Sequence, residues 1–325
     1  MSTTVAWLTE AVETAKNSRM RAVVIAVAIC ACGRSSGVPD RDLGGLVVAP
    51  AKPGKVDVDG AVKDPDALGT ALALPEHAID SALGPHVTQI AMATHVTENG
   101  KPVEDLDDTT TIELGGSGAY HALYANSADY GREVIFVGSQ LYLRPRYQRW
   151  HQRAPQTPDE SQEILDSFAE PVAATWDLVA PGVELSDRGT VTVAGRSGRK
   201  IDIKPAGSPK KPAAEPLAQR KWRETRTVDG LTGEIVLDAE TGAPLSVKLS
   251  GTVSFMRDGR RFAMQVSVQS DVTSIGKPAA IVAPGGDDVV ATPERLREVD
   301  DRDSLLQGIA PPLRKSDATK KPEPK

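Results

Sequence analysis

Five histidines and two cysteines are the residues of this chain whose types suit metal binding or nucleophilic chemistry. The histidines are His77, His86, His95, His121 and His151. They are spread over several predicted elements, and no two have the spacing that places two ligands on one helix face. Cys30 and Cys32 are too few for a four-ligand zinc site and too close together to staple a fold. We therefore expect no metal centre, no cofactor and no catalytic nucleophile.

A second pattern interleaves cationic and aromatic side chains within residues 142–153. The set comprises Arg144, Arg146, Arg149 and Arg153 with Tyr142, Tyr147 and Trp150. Guanidinium groups beside aromatic rings suit an anionic headgroup or a phosphate. The alternative is a strand whose aromatic side chains pack inward while its arginines face water. The whole chain carries 38 Lys+Arg against 44 Asp+Glu, so it has no basic excess and we expect no nucleic-acid partner.

The N-terminal residues predict export. Basic residues precede an uninterrupted apolar run, residues 22–31, which has the length of a signal-peptide core and is too short to cross a bilayer as a helix. We therefore predict a signal peptide over residues 1–31. Its true start is either Met20, which lies next to the apolar run, or Met1, which would give an extended N-terminal region. A buried apolar strand or helix is the alternative.

The apolar run ends in a sequence that resembles a bacterial lipobox, Ile29-Cys30-Ala31-Cys32-Gly33. Cys32 fits the position of the acylated cysteine because a small residue precedes it, whereas Cys30 follows the larger Ile29. Acylation of Cys32 would hold the protein on a membrane surface through its acyl chains. By resemblance to lipoprotein sorting in Gram-negative cells, Gly33 favours the outer membrane, with the protein facing the periplasm.

The composition divides the rest of the chain into three parts. Residues 32–65 are rich in Gly, Pro, Asp and Lys, which predicts a flexible tether. Residues 66–283 carry periodic apolar patterns and form the predicted folded domain, with a long exposed loop at residues 205–216. Residues 284–325 predict a short helix and a disordered tail.

The patterns within the domain predict an α+β fold. Two short helices precede a meander of about ten antiparallel strands, because the turns between the strands are too short for crossover connections. A longer helix over residues 158–179, with a kink at Pro171, interrupts the meander. Hairpin turns are predicted at Asn99-Gly100 and Asp258-Gly259. The sheet could curl around the helices or form a sandwich.

Four features together resemble the LolA/LolB superfamily, which includes lipid-binding lipoproteins of the LppX type. They are the lipobox Cys32, the N-terminal helical segment, the inserted helix with Phe168 and Trp176, and the hairpin at residues 233–245. That hairpin carries an apolar strand, the sequence Asp-Ala-Glu-Thr-Gly, and then Pro244-Leu245. The resemblance implies an incomplete β-barrel with helices packed on its concave face, closing an apolar cavity that holds acyl chains.

The resulting hypothesis is a non-enzymatic, membrane-anchored envelope lipoprotein that binds a lipid or a lipoprotein acyl chain. We expect the cavity walls to be drawn from Phe168, Trp176, Val253, Phe255, Phe262 and Met264, with Arg144 and Arg146 near the mouth as headgroup contacts. The six apolar residues would equally serve as an ordinary core. The alternative is a structural or assembly lipoprotein without a cavity, which binds another envelope protein through its sheet surface.

Overall fold

The computed structural model describes residues 56–291 of the chain. The predicted signal peptide, Cys32, most of the predicted tether, and the predicted C-terminal helix and tail lie outside these residues. The described residues all belong to one unit, Cys32–Lys325. The buried apolar clusters described below are built from them, so this unit contains its own core.

A single curled, unclosed sheet of twelve strands forms the described domain. The strands are β1 Val87–Glu98, β2 Lys101–Leu114, β3 Tyr120–Asn126, β4 Gly131–Val137, β5 Gln140–Pro145, β6 Trp150–Arg153, β7 Val183–Val193, β8 Arg196–Pro205, β9 Thr227–Asp238, β10 Pro244–Arg257, β11 Arg260–Thr273 and β12 Val289–Ala291. Their spatial order is β12-β6-β5-β4-β3-β2-β1-β11-β10-β9-β8-β7. Neighbours pair antiparallel, except that β12 runs parallel to β6.

The strand count corrects the predicted number of about ten. The prediction lacked β6 and β12, which are only four and three residues long. It also placed a strand from Trp222, whereas residues Ala218–Thr225 form a 3-10 helix. The strand after it, β9, continues without a break to Asp238. Short strands carry too few residues to show an alternating pattern in the sequence.

The turns follow the local sequence signals. Asn99 and Gly100 have φ of 50° and 80° between β1 and β2, and Asp258 and Gly259 have 51° and 73° between β10 and β11. Asparagine or aspartate followed by glycine tolerates this left-handed backbone, which suits a tight hairpin. In the β9–β10 hairpin, the Asp238 carboxylate accepts hydrogen bonds from the backbone of Thr241 and the side chain of Arg196, which stabilises that turn.

Five short helices accompany the sheet: α1 Val58–Ala61, α2 Pro65–Leu72, α3 Glu76–Leu83, α4 Glu160–Asp166 and α5 Glu170–Val179. The inserted helix is therefore two helices rather than one kinked helix. Pro171 lies in the first turn of α5, where its missing N–H leaves no helical hydrogen bond unmade. Within residues 56–291, no helix is long and apolar enough to cross a membrane.

Side chains of α2, α4 and α5 share buried apolar clusters with the sheet. Leu68 and Leu72 of α2 and Trp176 of α5 share one buried cluster with apolar side chains of β1 and β7–β11. Phe168 and the apolar residues of α4 pack on β2–β5 in a second cluster. On the opposite face, the segment that follows β11 covers Tyr142 and Trp150. The remainder of that opposite face carries mainly small and polar side chains.

Candidate functional site

Most of the predicted cavity wall lies in a single apolar layer between the helices and the sheet. Trp176 of α5 belongs to the same buried cluster as four residues of the β10–β11 hairpin, Val253, Phe255, Phe262 and Met264. Phe168 lies in the neighbouring cluster, under α4. These six side chains are at most 7% exposed. The structure thus brings five of the predicted residues together and places the sixth next to them in the adjoining layer.

An aromatic column forms the end of this layer nearest the β10–β11 turn. The rings of Phe255 and Phe262 stack at a centroid distance of 5.4 Å, and Trp222 lies 4.3 Å from Phe255. Trp222 is half-buried, so it is the member of the column that faces solvent. Local sequence patterns did not reveal this role of Trp222, because its contact with Phe255 joins separate parts of the chain. One indication in the sequence was the position of Trp222 shortly after the Pro- and Lys-rich loop at residues 205–216.

Trp222 is carried by residues 206–226, which we call the strap. Backbone N–H groups of Ala206 and Lys210 donate to carbonyls of Gly182 and Pro181. At its other end, the Thr225 hydroxyl bonds to the backbone of Met256. Apart from the ring of Trp222, the strap therefore contacts the rest of the domain mainly through hydrogen bonds.

Two arginines latch the strap to the C-terminal end of α5. The buried Arg226 guanidinium donates to the carbonyls of Asp177 and Leu178, which an α-helix leaves without partners inside the helix. Arg223 donates to the Asp177 carboxylate at 2.5 Å and lies 3.4 Å from Glu215. Burial lowers the pKa of Arg226, and the neighbouring Arg223 adds to this effect.

The two predicted headgroup arginines lie away from this aromatic column. Arg144 alternates with Leu143 on β5 and faces away from the helices, where it pairs with Glu133 and stacks 4.4 Å over Trp150. Arg146 pairs with Asp129 at 3.0 Å, at the β3–β4 turn. Neither side chain belongs to the clusters that hold the six apolar residues, and each is about one third exposed.

Arg132 is the cation that lies beside a predicted wall residue. Its guanidinium carbon is 4.1 Å from the centre of the Phe168 ring, and it donates to the carbonyl and hydroxyl of Ser167. Burial lowers its pKa to about 10, which leaves it charged at neutral pH. Arg132 lies two residues before the buried Val134 on β4, so both side chains are on the same face of the strand, and this spacing was the sequence signal for the position.

A hollow lies on the sheet face opposite the helices, with a volume of about 860 Å³. It spans six neighbouring strands, from β2 to β8. Ala93, Ser267, Ser250 and Thr232 stand opposite one another in register across its floor. Charged side chains lie around them, including Asp107, Asp202, Lys204, Glu234 and Lys248. Small and charged side chains line this hollow, whereas the predicted cavity has large apolar walls.

Four of the histidines are paired with carboxylates rather than grouped as ligands. His77 pairs with Asp166, His95 with Asp105, and His121 with both Glu113 and Glu133. His86 is fully buried and lies 3.0 Å from Glu76. Among the described residues, no group of three His, Cys, Asp or Glu side chains could hold a metal ion. The His86–Glu76 pair instead joins α3 to the loop before β1.

Comparisons with known proteins concern the fold alone. No protein-family model matches the sequence, and no curated protein is significantly similar to it. Solved structures with a similar fold include MucB, with 15% identity, TM-score 0.24 and coverage of 64% of this chain and 60% of MucB. LppX of Mycobacterium tuberculosis matches with 13% identity and TM-score 0.25, covering 67% of this chain and 99% of LppX.

A LolA superfamily protein from Nitrosomonas europaea matches with 6% identity and TM-score 0.17, covering 66% of this chain and 90% of that protein. The solved structures that match this chain thus include LppX and a LolA superfamily protein. The chain spans less than two thirds of the length of MucB. At these identities and TM-scores, the likeness says nothing about a ligand or a partner of this chain.

Proposed function

We propose that this protein is a non-enzymatic lipoprotein of the cell envelope that binds the acyl chain of a lipid or a lipoprotein between its helices and its sheet. The observation that carries the proposal is the apolar layer that reaches the surface at Trp222. The layer runs from Trp222 through Phe255 and Phe262 to Met264 and Trp176. An acyl chain that replaced Trp222 on Phe255 would enter a continuous apolar environment.

The way this layer is covered supports ligand entry. The covering helices are four to ten residues long, and the strap is held by the Arg223 and Arg226 contacts described above. Each CH₂ group of an acyl chain contributes about 0.8 kcal/mol on burial. Burial of several CH₂ groups would offset the polar contacts that are lost when the strap is displaced. For this reason the proposed ligand carries a hydrocarbon chain.

Co-purified lipid tests the acyl-binding proposal. The unit Cys32–Lys325, carrying Cys32→Ser so that it is not itself acylated, is expressed in the periplasm and examined by native mass spectrometry with lipid extraction. We expect about one acyl lipid per protein molecule, because one continuous apolar layer accommodates a single ligand. A protein that is free of lipid and also fails to take up added fatty acid or lysophospholipid would contradict acyl binding.

Anchoring through Cys32 is a separate part of the proposal. We expect acylation of Cys32 to hold the full chain in the membrane fraction, in the outer membrane and facing the periplasm. Cys32→Ser should move the protein into the soluble periplasmic fraction, whereas Cys30→Ser should leave it in the membrane. Fractionation followed by immunoblotting distinguishes the two variants. Retention of the Cys32→Ser chain in the membrane, or release of the Cys30→Ser chain, would contradict this assignment.

The hollow on the opposite sheet face favours a second candidate function. Its width of six strands and its small, polar floor suit contact with another envelope protein rather than with hydrocarbon. In this case the apolar layer is an ordinary core and the sheet face is the binding surface. A lipid-free protein in the experiment above would favour this second function.

A further inference from the structure

Two arginines continue the aromatic column at the tip of the β10–β11 hairpin. Side chains alternate between the two faces of a strand, so Arg257 lies on the same face as Phe255, and Arg260 on the same face as Phe262. The register places Arg257 opposite Arg260, just as it places Phe255 opposite Phe262. We call Arg257 and Arg260 the arginine pair. Along the helix face, two stacked rings are therefore followed directly by two guanidinium groups.

Nearby carboxylates only partly balance the arginine pair. Like charges placed directly opposite each other on neighbouring strands destabilise a sheet. Arg257 has Asp258 at 3.9 Å, and that carboxylate is 89% exposed, while Arg260 has Glu98 at 3.3 Å. Exposed ion pairs of this kind contribute about 0–1 kcal/mol. The strap adds Lys221 next to Trp222, in a pair with Glu224. A cationic rim thus stands beside the aromatic opening.

We infer that the ligand of the apolar layer is an amphiphile with an anionic oxygen headgroup. Its acyl chain displaces Trp222 and contacts Phe255 and Phe262, and its headgroup binds the arginine pair. This inference rests on the proposed acyl-binding function. Guanidinium groups bind carboxylate and phosphate oxygens in a bidentate manner, so a fatty acid and an anionic phospholipid share the required chemistry.

The position of the arginine pair relative to the rings determines where the headgroup and the acyl chain bind. The arginine pair lies beyond the rings on the side of the hairpin turn, where a headgroup stays in contact with water while the chain points into the layer. A charged headgroup placed deeper would lose its hydration against the residues around Met264, at a large cost in free energy. Arg144 and Arg146 lie on other parts of the sheet and are not needed for this binding mode.

Binding of three probes to the unit Cys32–Lys325 with Cys32→Ser tests the inference. The probes are palmitate, lysophosphatidylglycerol and an uncharged monoacylglycerol, with equal acyl chains and below their micelle concentrations. Isothermal titration calorimetry should show that the two anionic probes bind about tenfold more tightly than the monoacylglycerol, which corresponds to about 1.4 kcal/mol. Added salt should reduce the difference, since charge screening weakens exposed contacts.

The decisive variant is Arg257→Gln/Arg260→Gln. It should abolish the preference for anionic probes and leave the binding of the uncharged monoacylglycerol unchanged, because that probe has no anionic oxygen and the apolar contacts remain. Arg144→Gln/Arg146→Gln removes the same charge elsewhere on the sheet and should keep the preference. Circular dichroism and thermal unfolding verify that both variants fold. Preference for palmitate alone would support a carboxylate ligand, and equal binding of both anionic probes would support recognition of either group.

Three results would overturn the inference in different ways. Equal binding of all three probes by the unmodified arginine pair would leave acyl binding intact and remove the anionic headgroup. A preference that survives Arg257→Gln/Arg260→Gln, or one that disappears in the Arg144→Gln/Arg146→Gln control, would place headgroup recognition elsewhere. Failure of every probe to bind would contradict the proposed function, and the inference would fall with it.

Discussion

Phe255→Ala is expected to lower the free energy of unfolding by about 3–5 kcal/mol and to abolish binding of acyl probes. Phe255 is buried between the rings of Trp222 and Phe262. Its removal leaves a cavity in the aromatic column and takes away the surface that we propose for the acyl chain. Urea denaturation measures the stability change, and the calorimetric titration described above measures binding.

Met256→Ala is the matched control for Phe255→Ala. Met256 is the next residue of β10, points to the opposite face of the sheet and is 43% exposed. Its replacement should change the free energy of unfolding by no more than about 0.5 kcal/mol and leave probe binding intact. If Phe255→Ala lost stability but still bound the probes with unchanged affinity, the aromatic column would be a core and not a ligand site.

Glu76→Ala should destabilise the fold by about 3–5 kcal/mol at mildly acidic pH, because it leaves a buried imidazolium without its counter-charge. His86 and Glu76 are 0% and 1% exposed. His86 Nδ1 bonds to the Gly84 carbonyl, and Glu76 also accepts a hydrogen bond from Thr88. Burial opposes the charged imidazole, but the hydrogen bond and the charge of Glu76 outweigh burial and raise the pKa of His86.

The raised pKa determines how this effect depends on pH. The folded protein holds the His86 proton more tightly than the unfolded chain does, so the stabilisation is complete below about 6.5, the ordinary pKa of histidine, and is lost as pH rises through the folded-state pKa. The destabilisation by Glu76→Ala should therefore shrink in mildly alkaline solution. Asp80 also faces His86, and burial raises its pKa, but the variant and the unmodified protein share this group.

Asp105→Ala provides the control for Glu76→Ala. Asp105 pairs with His95 at 2.6 Å, and both side chains are about half exposed or more. Because an exposed pair contributes about 0–1 kcal/mol, its loss should change stability little. Urea denaturation at two pH values measures both variants. An equal loss for the two, or a loss from Glu76→Ala that grows as pH rises, would contradict the buried charged pair.

Most residues of the aromatic column could be predicted from local sequence patterns. The strict alternation over β10 and β11 placed Val253, Phe255, Phe262 and Met264 on one buried face, and the Asp258-Gly259 turn set their register. Alternation has a period of two in any strand, so it can be seen without knowledge of neighbouring elements. Trp222 could not be assigned in this way, because its contact with Phe255 joins the strap to a strand far along the chain.

For the candidate headgroup contacts, sequence neighbours were a poor guide to which arginines lie beside the aromatic column. Arg144 and Arg146 stood out because aromatic residues flank them in the sequence, yet their contacts lie with Glu133 and Asp129. Arg257 and Arg260 likewise each lie two residues from an aromatic residue, Phe255 and Phe262. They lie beside the aromatic opening because the hairpin pairs them across two strands and the strap brings Trp222 to the same end. Sequence neighbours do not reveal which side chains meet across strands.

The sequence by itself determined the hairpin turns and most strands with their buried faces, and it predicts the export signal and the resemblance to LolA- and LppX-like folds. These features depend on local chemistry: apolar run length, turn conformation and side-chain alternation. Only the tertiary structure decided the twelve-strand order, the latching of the strap on α5, and the separation of an apolar layer from a polar hollow on the opposite face. Those depend on contacts between residues distant in the chain, which one sequence does not specify pair by pair.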